Sequence, residues 1–217
     1  MKKKVLVIPL MLASLCLFAQ NGIIRELSGT VEIQRPGTAA FVPANAGDTI
    51  NQDAIISTGF RSSALIEAGS AVLTVRPLTR LSLTEISASQ AAETLNVNLQ
   101  TGRVRIDVNP PAGRNASMRI ISPSATASVR GTSFEIDTRS IRVIRGSVSY
   151  EGNRGMPMAV EAGFQSMVEN DDRAADPISL RRERLLPRRP AGTGSSGGST
   201  RSFSVPTEGF ISVDFLF

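Results

Sequence analysis

Residues 122–136 read SPSATASVRGTSFEI. Past the glycine, Phe134 and Ile136 fall on one side and Ser133 and Glu135 on the other, which is the two-residue period of a half-buried strand. Gly131 stands where a bulge or a sharp bend would turn the chain into that strand. Phe134 is expected in the core. Arg130, held between Val129 and Gly131, is expected to be partly buried. A guanidinium removed from water needs a carboxylate or carbonyl partner, so structural pairing is the expectation for it, ahead of contact with another molecule.

The same alternation spreads outward from this stretch. Thr30-Val31-Glu32-Ile33 and Val104-Arg105-Ile106-Asp107-Val108 place Val and Ile inward and charge outward. Ile55, Ile56, Ala64, Ile66, Val72, Val75, Leu81 and Leu83 supply further short apolar segments, and Ile141-Arg142-Val143 and Val148-Ser149-Tyr150 repeat the theme. Between them lies turn punctuation: Gly47-Asp48, Thr58-Gly59, Ala68-Gly69, Pro110-Pro111-Ala112-Gly113 and Glu151-Gly152. Short strands interrupted this often predict an all-β sandwich, barrel or solenoid. A Gly-x-Val phrase recurs at Gly29, Gly102 and Gly146 at irregular spacing, which suggests equivalent bends before strands whose Val faces the core. Glu85 to Leu95 is ambiguous between a short helix and a strand-loop-strand passage.

The two ends differ from the middle. Lys2, Lys3 and Lys4 precede an apolar run from Val5 to Phe18, and Ala19 offers a small residue for cleavage. Residues 1–19 therefore read as a secretory signal peptide, too short for a comfortable membrane helix, and the mature protein is expected to be exported, periplasmic or secreted, with no transmembrane span. A lipid anchor at Cys16 is disfavoured by the bulky Leu15 before it. From residue 171 to 202 the chain is Arg-rich, then Gly/Ser-rich, and reads as a flexible linker. Within it, 178–186 is expected to form one or two helical turns stopped by Pro187 and Pro190. The Arg cluster at 181–189 reads as a solvated face, with contact to anionic lipid as the alternative. In the last segment, 203–217, Ile211, Val213, Phe215 and Phe217 alternate with Ser212, Asp214 and Leu216. A lone strand is not stable, so these four residues are candidates for contact with a sheet edge or a partner.

Composition excludes several activities. The chain has one Cys, no His and no Trp, and its three Lys all lie in the signal-like segment. Ser and Thr therefore lack the usual activating base. Asp48 reads as a turn residue and not as half of a carboxylate pair with Asp53. Glu169, Asp171 and Asp172 read as a solvated acidic turn, because the glycine and ligand spacing of a calcium loop are missing. No catalytic residue, metal or cofactor is expected. From residue 21 to 176 there are 15 Arg and 16 Asp plus Glu. That near-balance, with few aromatics, argues against nucleic acid as a partner.

Taken in order, Gly29-Thr30-Val31, Gly47-Asp48, Thr58-Gly59, Glu67-Ala68-Gly69-Ser70, Pro77-Leu78-Thr79, Gly102-Arg103-Val104, Ser122-Pro123-x-Ala125, Val129-Arg130-Gly131-Thr132-x-Phe134, Gly146-x-Val148 and Ala162-Gly163-x-Gln165 form a series. The series resembles the FecR domain family across about Gly29 to Val168, within an expected domain of 21–170. The resemblance implies a compact β-solenoid or sandwich-like fold, and a mainly structural role for Gly29, Gly47, Asp48, Gly59, Gly69, Gly102, Pro123, Arg130, Gly131, Thr132, Phe134, Gly146 and Gly163. The best-known family members pass a signal from an outer-membrane transporter to an anti-sigma activity through a membrane helix and a C-terminal domain. This chain has a signal-like segment in place of the first and a short tail in place of the second. The function expected is therefore a non-enzymatic, exported recognition or scaffold module of the cell envelope that binds a protein. The alternatives are a glycan- or wall-binding module, against which Trp is absent and Tyr150 is the sole Tyr, and a remnant of sigma-factor signalling.

Overall fold

A computed structural model describes residues 21–88 and 92–185. The signal-like segment with Cys16, the Gly/Ser-rich stretch, and Ile211, Val213, Phe215 and Phe217 lie outside the described residues. In chain order the strands are β1 (Gly22–Ser28), β2 (Val31–Gln34), β3 (Phe41–Pro43), β4 (Thr49–Ile50), β5 (Ile55–Thr58), β6 (Ser63–Ala68), β7 (Ala71–Val75), β8 (Arg80–Ala88) and β9 (Ala92–Thr101). They continue with β10 (Arg103–Val108), β11 (Asn115–Ile121), β12 (Ala125–Val129), β13 (Ser133–Asp137), β14 (Ser140–Arg145), β15 (Ser147–Gly152), β16 (Met158–Glu161) and β17 (Gln165–Met167), and one helix, α1 (Pro177–Leu185), follows.

The strands form two sheets. The first runs β17-β14-β13-β10-β7-β6-β1-β4, and the second runs β16-β15-β12-β11-β9-β8-β5-β2-β3. The alternation read in the sequence explains the layering, since each strand turns one row of apolar residues inward. Leu95, Val97 and Leu99 of β9, Met118 and Ile120 of β11, and Val148 and Tyr150 of β15 meet Ile66, Leu73, Ile106, Phe134 and Ile141 of the first sheet in one continuous core. Phe134 and Tyr150 are the bulkiest fully buried side chains. Tyr150 of the second sheet also donates its hydroxyl to the Arg139 carbonyl beside β14 at 2.9 Å, so a hydrogen bond joins the layers.

The chain is therefore all-β and sandwich-like, as the sequence predicts. The solenoid alternative does not describe it. A solenoid stacks parallel coils, whereas here neighbouring strands pair antiparallel, some as hairpins and others between strands distant in the chain, and among the described residues only β9 and β11 run parallel. Glu85 to Leu95 resolves as strand on both sides: β8 and β9 form a hairpin in which Leu83 pairs with Val97 and Ile86 with Leu95. Burial of that apolar row outweighs the helix preference of its Ala, Gln and Glu.

Every passage of the chain between the sheets turns on a residue with positive φ: Gly29, Gly47, Asp53, Arg61, Leu78, Gly102, Gly113, Gly131, Gly146 or Gly163. The recurrent Gly-x-Val phrase marks three of these corners, and Val31, Val104 and Val148 after them are all buried. At Gly102 two requirements coincide. Its φ is 87°, and a Cβ there would collide with the backbone of Thr79. Helix α1 follows an isolated bridge between Val168 and Ala174, and Arg181 lies over the Phe164 ring at 5.0 Å.

Candidate functional site

The outward faces of the two sheets carry different chemistry. On the first sheet four arginines pair with carboxylates. Arg25 meets Glu67 at 2.6 Å, Arg76 meets Glu135 at 3.7 Å, Arg103 meets Asp137 at 3.2 Å and Arg105 meets Asp107 at 3.1 Å. Burial alone would raise the Asp107 carboxyl, but hydrogen bonds from Ser133 and Arg105 outweigh it and hold the group below the usual carboxylate range. Asp137 behaves alike: burial is opposed, with a net lowering, by bonds from the Arg139 N–H, the Ser140 hydroxyl and the Ser140 N–H. Four arginines of this face are thus matched by carboxylates, and Arg142 and Arg145 of β14 reach the neutral Gln165 and Asn109.

The second sheet is built otherwise across β9, β11, β12 and β15. Inward rows of Leu, Val, Ile, Met, Ala and Tyr leave an outward row of short polar groups: Thr94, Asn96, Ser117, Ser128, Ser147 and Ser149. The register lines them up. Glu85 faces Asn96, Asn96 faces Arg119, Arg119 faces Ser128, and Ser128 faces Ser149. Together with Arg119 and Arg130 they line a shallow depression of about 630 Å³. Both arginines are exposed. Among the described residues neither makes a salt bridge or a side-chain hydrogen bond, while the nearby Glu85 is engaged by the Asn96 amide at 2.5 Å. Two free guanidinium groups above a bed of hydroxyls and amides form a surface able to hold anionic groups.

This placement corrects the expectation for Arg130, which is neither buried nor paired. Val129 ends β12 with its side chain inward, so the next residue projects to solvent before Gly131 (φ 60°) bends the chain into β13. The other singled-out residues shape the body around the face. Phe134 is fully buried. Asp48 closes a turn by accepting from the Asn45 N–H at 2.8 Å, and the Gly59 N–H donates to Thr30 at 2.9 Å. Gly69 turns the β6–β7 hairpin, where Ser70 N–H bonds to the Glu93 carboxylate at 3.1 Å. Pro123 lies in the β11–β12 turn, where Ser122 accepts from the Ala125 N–H and reaches the Thr138 carbonyl at 3.0 Å. Thr132 is buried against Gly146, with its hydroxyl unpartnered. Tyr150, the sole tyrosine, is buried and presents no ring to solvent. Glu169 to Asp172 form a turn, with Asp171 paired to Arg173. Arg119, Asn96, Ser117, Ser128 and Ser149 are the residues that sequence reading missed. The outward phase of Arg119 between Met118 and Ile120 was legible, but its lack of a facing carboxylate was not.

Fold and face together define an all-β module with a broad polar surface, two sheets thick. Residues 54–149 match the family model described as FecR protein. The matched segment contains Arg119, Arg130 and all the other residues that line the depression. No curated protein matches the chain. Two crystal structures of a "putative anti-sigma factor" from Parabacteroides distasonis are similar to it. One has 17% identity and a TM-score of 0.45, with 58% of this chain and 62% of that one covered. The other has 16% identity and a TM-score of 0.44, with 60% and 64% covered. The likeness thus spans less than two thirds of either of those chains. Among the described residues no helix is long and apolar enough to cross a membrane.

Proposed function

We propose that the chain is a non-enzymatic, exported module of the cell envelope that binds a protein partner through the outer face of its second sheet. One observation carries this reading: Arg119 and Arg130 stand without a side-chain partner over a polar depression, while on the first sheet Arg25, Arg76, Arg103 and Arg105 meet carboxylates and Arg142 and Arg145 reach Gln165 and Asn109. A face rather than an edge is the expected contact. The edge strands β3, β4, β16 and β17 are two to four residues long, and short edges give little ladder for strand addition. Export is supported by the signal-like residues 1–19. The set of side chains after that segment, without His, Cys or Lys, favours binding over catalysis.

The test is capture of partners from envelope extracts by the full chain, compared with Ser128→Tyr, Ser149→Tyr and, on the first sheet, Thr74→Tyr. A partner held by the wild type and by the Thr74 variant, and released by both Ser variants, is the expected result. Identical partner sets for all four proteins would remove the second sheet from the function. Deletion of 203–217 in the same assay measures what Ile211, Val213, Phe215 and Phe217 add.

A further inference from the structure

We infer that the arginine pair receives an extended acidic segment of the partner, with carboxylates on alternate residues; this rests on the recognition reading above and names the chemistry of its ligand. Arg119 lies directly across the ladder from Ser128, and Arg130 is two residues further along the same side. Residues in that diagonal relation on a ladder lie about 7–8 Å apart, and Arg130, the first residue past β12, stands at the end of this one. Alternate side chains of an extended chain point the same way and repeat about every 6.6–6.8 Å. An acidic-x-acidic segment therefore sets one carboxylate on each guanidinium. Adjacent acids point to opposite sides and leave one arginine unmatched.

The surroundings favour a polypeptide. Ser117, Ser128 and Ser149 are short enough to let a backbone approach, and their hydroxyls both donate and accept. Aromatic platforms of the kind that stack on sugar rings do not line the depression. Carboxylates stand at the ends of the rows, Glu85 beyond Asn96 and Glu161 beyond Ser147. The positive centre is thus bounded by negative ends, which would repel an acidic segment shifted along the rows. The body as a whole is nearly neutral, with 15 Arg and 16 Asp plus Glu over residues 21–176. The attraction is therefore local to this pair and is not a product of net charge.

The experiment uses the full chain and labelled, end-capped peptides in a Ser/Thr/Val background. One peptide carries two Asp on alternate positions, an isomer carries them adjacent, and a third has Asn in both places; polygalacturonate is the polysaccharide probe. Fluorescence anisotropy is read at low and at physiological salt. The alternating peptide is expected to bind about tenfold more tightly than the Asn form, as for one charge-assisted pair, and to weaken with salt. It is also expected to outrank the adjacent isomer. Arg119→Gln and Arg130→Gln, both exposed and checked for fold by circular dichroism, should each remove that advantage, and Arg25→Gln should not. Equal binding of the two Asp isomers, no binding of either, indifference to both Arg variants, or tighter and Arg-dependent binding of polygalacturonate would overturn the inference. In the capture assay, a partner lost with Ser128→Tyr but kept by the Arg variants would leave the recognition reading standing and the acidic ligand refuted. Indifference to all of these substitutions would refute both.

Discussion

At the scale of single residues, hydroxyl groups at the corners between sheets are used unequally. Ser62 and Thr79 both accept the N–H that follows a corner glycine, from Thr30 at 2.8 Å and from Arg103 at 2.9 Å. Thr132 turns its methyl toward Gly146 instead, and its buried hydroxyl has no partner. Thr132→Val keeps the shape and removes an unsatisfied group, so it is expected to be neutral or stabilising. Thr79→Val should cost about 1 kcal/mol or more. Denaturant midpoints of the two variants test this contrast directly. Asp107 and Asp137 both carry acid sensitivity, and Asp137 is the more readily tested. Its carboxyl is held below its ordinary value in the folded state, so its contribution is complete above the unfolded value of about 3.9 and is lost as pH falls through the lower folded value. Asp137→Asn should flatten the fall of stability below about pH 4 relative to wild type, followed by thermal melts across that range. None of these partners was legible in the sequence. Phase along a strand says that Asp137 points outward, but not that Arg103, 34 positions away in the chain, lies beside it.

At the scale of elements, the corners repay attention more than the strands. Leu78 adopts φ 56° while exposed, a conformation that an L side chain enters only at a cost of about 1–2 kcal/mol. Part of that cost is recovered in Leu78→Gly and part is offset by the greater freedom of glycine in the unfolded chain, so a net gain of up to about 1 kcal/mol is expected. Gly102→Ala should act in the opposite sense and cost at least about 2 kcal/mol, from the positive φ and the collision with Thr79 together. Paired urea titrations of these variants read the sign. The recurring Gly-x-Val phrase made three corners visible in advance, because there glycine is needed and Val marks the following strand. At two corners that Thr58-Gly59 and Pro77 mark, the left-handed residue itself was hidden, since neither Arg61 nor Leu78 is of a type that marks a left-handed backbone. The β8–β9 hairpin was equally hidden. Its sequence suits a helix locally, and only packing against the other strands selects the extended form.

At the scale of the whole molecule, stability rests on two sheets closed over one core. Phe134→Ala should cost about 3–5 kcal/mol, the range for emptying a fully buried ring site. Tyr150 reports on closure, because burial raises its phenol well above the usual value and its hydroxyl crosses to the other sheet. The folded state keeps the proton, so stability is unaffected below the unfolded pKa of about 10 and is lost as pH rises above it. Phenolate absorbance is therefore expected to appear together with the loss of β-structure in circular dichroism, and not before it. A tyrosine that ionises at about pH 10 while the sheets remain intact would contradict its burial. The sequence alone determined that the chain is all-β, where many of its bends lie, which residues face inward, and that it resembles FecR domains, because alternation and glycine are local properties. It did not determine which strands become neighbours, whether they stack as a sandwich or a solenoid, or which charges find partners. Those depend on pairing between residues far apart in the chain, and only in the folded sheets does the difference emerge between Arg103, which meets Asp137, and Arg119 and Arg130, which face outward with no carboxylate beside them.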